Sequence, residues 1–171
     1  MTEPFTPPWS TMDNPRLEFA MEVRLTFPTA YMIANTPWGG NRSAVLVESG
    51  SFTGPAISGR AVPGSGGDYA YFRPDGVACF DARYLLQEED GTLILLNNKG
   101  YLWGRKPDTM DRLRKWAFEG GEPVAHDEYY LRGNPSFECP AGKHDWLTRH
   151  VFIGIGERKP DGNLLRYYAL V

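Results

Sequence analysis

Residues Leu17 to Phe27 (LEFAMEVRLTF) place Leu17, Phe19, Met21, Val23, Leu25 and Phe27 at alternate positions, with Glu18, Glu22, Arg24 and Thr26 among those between. A period of two is the mark of a strand with one face buried, and it excludes a helix here. Nine further runs with strand character follow: 30–34, 43–48, 56–62, 68–73, 77–87, 92–97, 129–132, 146–157 and 164–171. Each is bounded by Gly, Pro, Asn or Asp, and short strands at such intervals predict a sandwich or barrel. Asp75-Gly76, Asp90-Gly91 and Asp161-Gly162 lie between such runs and read as hairpin turns, which makes neighbouring strands antiparallel.

One segment breaks the pattern. Asp108 to Phe118 (DTMDRLRKWAF) offers Asp108 as an N-cap, puts Met110, Leu113 and Ala117 on one face and meets Gly120-Gly121. It predicts a single helix packed on or plugging a closed sheet. Residues 1–16, with Pro4, Pro7, Pro8 and Pro15, read as a flexible N-terminal arm, leaving 17–171 as one domain rich in strands. The pattern therefore predicts an all-β fold, an antiparallel sandwich or barrel with one short helix.

Composition narrows the function classes. Glycine and proline supply 19 and 14 of 171 residues, which suits a chain of many corners. The net charge of −3 disfavours nucleic acid and anionic membrane surfaces. There is no basic and apolar leader pattern at the N-terminus and no run of eighteen apolar residues, so a cytoplasmic location is expected. Cys79 and Cys139 lack a CxxC spacing, and a disulfide between them is disfavoured in that compartment.

The motifs GxxxxGK[ST], GxGxxG after a strand, GxSxG and HExxH are absent. His126, His144 and His150 have no ligand spacing, so neither a metal nor a cofactor is expected. Pro63-Gly64-Ser65-Gly66-Gly67 could cradle an anion, but glycines just before a strand more often allow a bulge or corner.

Candidate site residues come from strand faces. In 77–87 (VACFDARYLLQ), Cys79, Asp81, Arg83 and Leu85 share one face, and the other is apolar apart from Tyr84. Facing solvent, Asp81 and Arg83 are an ordinary exposed pair; facing inward, they must meet a partner or a polar ligand. In 68–73 (DYAYFR), Tyr69, Tyr71 and Arg73 oppose Asp68, Ala70 and Phe72. Phenols and an arginine suit a carbonyl-bearing or aromatic ligand, and cross-strand packing explains them equally well. Tyr129 to Arg132, Phe137-Glu138 and Asp145-Trp146 add polar-tipped aromatics late in the chain.

The phrases Gly59 to Tyr69 (GRAVPGSGGDY), Arg73 to Gly76 (RPDG) and Asp81 to Tyr84 (DARY), in that order and spacing, resemble the domain-of-unknown-function 3237 family. So do Thr36 to Arg42 (TPWGGNR), Gly50 to Pro55 (GSFTGP) and Trp146 to Arg149 (WLTR), so the resemblance covers everything after the arm. It implies that 17–171 is a β-barrel domain, a single antiparallel β-barrel of about eight to ten strands with one short helix, similar to allene oxide cyclase and lipocalin-like barrels and commonly a homodimer. Some relatives are associated with isomerising or cyclising unsaturated small molecules in secondary metabolism. Tyr69 stands where a tryptophan is common, and substrate does not transfer.

Two functions compete at this level, with a structural dimer whose polar residues only complete a buried network as a weaker third. The first is a cofactor-independent isomerase or cyclase moving a proton on a small hydrophobic carbonyl compound. It would use Asp68 or Asp81 as base and Arg83, Arg42 or Tyr130 to hold the oxyanion, with Tyr69, Tyr71, Arg132, Phe137 and Trp146 lining the ligand. The second is a lipocalin-like carrier that binds the same ligand without chemistry.

Overall fold

The computed structural model describes residues 14–171; of the arm expected over 1–16, residues 1–13 lie outside that range. Twelve strands form one sheet, and all pairings are antiparallel. They are β1 (Leu17–Thr26), β2 (Ala30–Ile33), β3 (Asn41–Leu46), β4 (Ser49–Gly54), β5 (Ile57–Ala61), β6 (Gly67–Asp68), β7 (Tyr71–Phe72), β8 (Ala78–Glu88), β9 (Leu93–Gly104), β10 (Tyr129–Glu138), β11 (Phe152–Lys159) and β12 (Gly162–Leu170). The helix α1 spans Thr109–Phe118, beginning after Asp108, whose side chain makes no capping bond.

Eight strands close the barrel in the order β1-β4-β5-β8-β9-β10-β11-β12, with β12 returning to β1. The seam joins the ends of the chain: Leu17 pairs with Leu170, and Arg16 and Val171 exchange backbone hydrogen bonds of 2.9 Å. The long strand β8 serves three neighbours on one side. Its C-terminal half pairs with β5, and its N-terminal half with β6 and β7. On β6 and β7 lies β3, and on β3 lies β2, so these short strands form a flap that deepens one end of the barrel. The glycine-rich stretch makes the corner of this flap, because a Cβ on Gly67 would lie 2.3 Å from the Val45 carbonyl.

The alternation in β1 is real but changes phase. A bulge between Phe19 and Met21 leaves Leu17 and Phe19 outside while Met21, Val23 and Leu25 point in. The strand expected over 68–73 is broken at Tyr69 and Ala70 into β6 and β7. The run 146–157 divides into a 3₁₀ turn at Asp145–Thr148 and β11. Strand β4, rich in Gly and Ser, forms because β1 and β5 pair with it on both sides. Strands β9 and β10 run beyond the expected ends, through Asn97-Asn98-Lys99-Gly100 and Gly133-Asn134-Pro135. Pro135 is tolerated because the β10–β11 ladder covers only Arg132 and Gly133, leaving its missing N–H without a partner to serve.

The lower half of the barrel is solid. Met21, Val23, Phe52, Leu86, Ile94, Leu96, Phe137, Phe152 and Tyr167 form its packed core, with Leu147 of the 3₁₀ turn closing the bottom. There, buried Glu88 contacts His144 Nε2 and accepts from Lys143 Nζ at 2.9 Å. Both cysteines are free. No helix among the described residues is long and apolar enough to cross a membrane.

Candidate active site

The upper half of the barrel is hollow. A cavity of about 660 Å³, well within the range for small-molecule sites, opens between the flap and α1. Its walls are mostly apolar: Phe27, Val45 and Val47, then Phe72, Phe80 and Ala82, then Leu102 and Leu131 with Leu113 of the helix. Arg73, Asp111 and Arg114 also line it but are engaged in exposed ion pairs, Arg73 with Asp75, Asp111 with Lys115 and Arg114.

Two other charged groups remain. Asp68 projects from β6 into the cavity, where its Oδ1 accepts from the Asp81 amide at 2.8 Å. Arg158 reaches in from β11, the strand on which Phe152, Gly154, Gly156 and Arg158 alternate inward. A Cβ on Gly156 would lie 2.5 Å from the Leu131 side chain, so glycine leaves this strand close enough to its neighbours to aim Arg158 across the space. The guanidinium is flanked by the Phe27 and Phe118 rings at 5.1 and 5.3 Å, and Nη1 donates to Asn163 Oδ1 at 3.0 Å. Its Nε is buried without a partner, and among the described residues no carboxylate lies within 4 Å of it.

Burial governs the electrostatics. It pushes the Asp68 carboxyl up to about 6, against the opposing pull of the Asp81 amide and Arg158. It lowers the Arg158 guanidinium to about 10, which still leaves it charged at neutral pH. A base poised near neutrality therefore shares an apolar cavity with an incompletely satisfied cation. A guanidinium held against apolar walls with one buried donor unsatisfied contributes little to the fold.

Beneath them lies a polar belt. Asn98 Nδ2 donates to Tyr167 Oη at 3.1 Å, while Tyr84 Oη and Asn98 Oδ1 are buried without partners. Burial raises both phenols above the ordinary tyrosine value, so both stay neutral, and Tyr84 and Asn98 also line the cavity.

Of the residues expected to form the site, Asp68 alone is in this cavity. Asp81 and Arg83 project from the outer face of β8, Asp81 beside Lys99 Nζ at 3.3 Å and Arg83 bonded to Asn97. The apolar face of that strand, with Tyr84, is the inner one. Tyr69 and Tyr71 likewise face outward with Arg42, which donates to the Tyr69 carbonyl at 2.9 Å and stacks on the Tyr71 ring at 5.4 Å. Tyr130 stacks on Trp103 at 5.3 Å on the outer wall, with Arg132 over its other side at 5.2 Å. Phe137 lies in the lower core, with Trp146 packed against it. The structure thus groups Arg42 with Tyr69 and Tyr71, and Tyr130 with Arg132, but neither group reaches Asp68. Asp81→Asn and Arg83→Met are expected to change stability by less than about 1 kcal/mol, the scale of exposed pairs, and to leave ligand binding intact. Thermal melts and a binding titration check this.

Sequence reasoning missed Arg158, Asn98 and Tyr167 and passed over Tyr84. The first had a signal: Phe152, Gly154, Gly156 and Arg158 alternate, and two glycines on the face of an arginine indicate cleared space. Asn98 fell beyond the expected end of its strand.

Comparison with known proteins agrees with this architecture. A UPF0311 protein of Clostridium acetobutylicum is 30% identical over 153 residues, spanning 90% of this chain and 92% of that one. The crystal structure of a protein of unknown function from the same species superposes with a TM-score of 0.81 at 25% identity, covering 94% of this chain and all of the other. An enzyme from Penicillium herquei shares the barrel at a TM-score of 0.67 and 20% identity, with full coverage of both chains. The model of the family described as protein of unknown function (DUF3237) matches residues 15–170, and the chain belongs to that family.

Proposed function

We propose that the barrel is a cofactor-independent isomerase or cyclase that moves a proton on a small hydrophobic carbonyl compound. Asp68 is the base and Arg158 holds the oxygen on which charge develops. The observation that carries this reading is the pairing of a near-neutral carboxylate with an incompletely satisfied guanidinium inside an apolar cavity. Asp68 would take a proton from the carbon next to the carbonyl and return it at another position, while Arg158 stabilises the enolate between the two steps. Exclusion of water by the surrounding Phe and Leu side chains strengthens that stabilisation. That the Penicillium herquei protein with the same barrel is an enzyme is compatible with catalysis in such a cavity.

The test is to incubate the protein in D2O with enones, β-diketones and chalcone-like phenols and follow proton exchange and isomerisation by NMR. Turnover should rise with pH through about 6, because the base must be ionised. Asp68→Asn should lower it by about 10² to 10⁴-fold. Binding of these compounds without exchange or product would instead identify a carrier, and undiminished turnover by Asp68→Asn would remove Asp68 from the chemistry.

A further inference from the structure

We propose that the cavity is a receptor for hydrophobic monoanions, which it takes up together with one proton, the anion's oxygen on the Arg158 guanidinium and the proton on Asp68. This deepens the proton-transfer reading and rests on the same two residues. Once a neutral substrate has given its proton to Asp68, the site holds an enolate, Arg158 and a neutral carboxyl. A stable anion that imitates the enolate should select that same charge state.

The geometry carries the proposal. Arg158 has a bond from Nη1 to Asn163 and ring faces on two sides, but its Nε is buried with no acceptor. A guanidinium so placed lacks an anionic oxygen, and Asp68 does not approach within 4 Å to supply one. The remaining walls are hydrocarbon and aromatic, so the body of the ligand is apolar. With Asp68 ionised the inner cavity is formally neutral; with Asp68 protonated it carries the charge of Arg158 alone. An anion therefore binds the protonated form better, and by linkage its binding raises the proton affinity of Asp68.

Among the described residues, no other group on the packed elements replaces Asp68 in this role. On β8, Tyr84 is a neutral phenol, and Asp81 lies on the outer face beside Lys99. On β3 the cavity meets only uncharged Asn41, Ser43, Val45. Beside Arg158, Tyr129 Oη accepts from its backbone N–H, and burial raises that phenol. At the mouth, Arg73, Asp111 and Arg114 are held in ion pairs with Asp75, Lys115 and Glu119. Protonation of Asp68, whose carboxyl titrates near 6, is the event that changes the inner charge.

Two probes of similar size separate charge from hydrophobic fit: 2-naphthoate, a carboxylate ionised from about pH 5.5 to about pH 8, and neutral 2-acetonaphthone. Calorimetric titration of the full chain should give a naphthoate Kd that weakens by up to about tenfold per pH unit above about 6, with uptake of close to one proton. The ketone Kd should stay flat across the range. In Asp68→Asn the naphthoate Kd should be pH-independent and as tight as the wild type at low pH. In Arg158→Met it should weaken by at least about tenfold, and by more than the ketone Kd does. Should Arg158→Met lose the fold, the Asp68→Asn titrations and the proton count in the wild type decide alone.

Naphthoate binding that is flat with pH, that takes up no proton, or that survives Arg158→Met unchanged overturns the proposal. Proton-linked naphthoate binding without turnover of any carbonyl compound overturns the catalytic reading alone. Turnover with naphthoate bound but no proton taken up overturns this inference alone.

Discussion

Replacing Asp68 with asparagine is expected to make the protein more stable above about pH 7, not less. The folded-state carboxyl titrates near 6 against an ordinary aspartate value of 3.8. Between those values the folded chain holds a proton that the unfolded chain has released. Wild-type stability therefore falls as pH rises from about 4 to about 6 and stays lowered above that. The full gap corresponds to at most about 3 kcal/mol. Asparagine removes this penalty and can still accept from the Asp81 amide, but it also deprives Arg158 of its nearest favourable charge. A net gain of about 1 to 2 kcal/mol, or about 3 to 6 °C in melting temperature, is the expected balance at pH 8. At pH 4 the two proteins should melt together. A variant that loses turnover while gaining stability identifies a residue kept for chemistry at the expense of the fold. Equal melting temperatures at pH 8 would mean that the favourable charge Asp68 offers Arg158 offsets its burial penalty.

The largest loss is expected from Tyr167→Ala. Tyr167 is fully buried at the boundary between the solid and hollow halves, its ring edge-on to Phe137 at 6.1 Å and its hydroxyl receiving the Asn98 amide. Truncation empties a space the size of an aromatic ring and orphans Asn98, costing about 3 to 5 kcal/mol, or about 8 to 16 °C in melting temperature. Tyr167→Phe removes only the hydroxyl and should cost about 1 to 2 kcal/mol, the scale of a buried amide left without its acceptor. Urea denaturation of both variants separates packing from polar satisfaction. Similar losses in the two would make the hydrogen bond, not the ring, the dominant contribution of Tyr167.

Strand identity was legible where alternation was clear, as in β1 and β8, and the Asp-Gly turns joined the right neighbours. What failed was mostly a matter of phase and of non-local pairing. Alternation names two faces but not which one is inner, and for β8 the inner face is the one with Tyr84, not the one with Asp81 and Arg83. On β6 and β7 the inner residues are Asp68 and Phe72 rather than Tyr69 and Tyr71. Charged residues caught the eye because they look like chemistry, yet on a barrel wall most of them are solvated. The Arg158 position required the opposite inference, that a charge on an apolar, glycine-cleared face is the unusual one. Strand β4 and the extensions of β9 and β10 arise from partners distant in sequence, which no local propensity records.

The seam between β1 and β12 bears on how the chain reaches this state. The first strand of the barrel finds one of its two neighbours only in the last, so one of the final contacts spans almost the full described sequence. Barrels dominated by such non-local pairs fold slowly, and during synthesis β1 must wait with an edge unpaired until the C-terminal strand has been made. The hollow upper half, bounded by residues from β1 through β12, is thus a late product of folding. A growing chain therefore lacks the cavity until its last strand has paired.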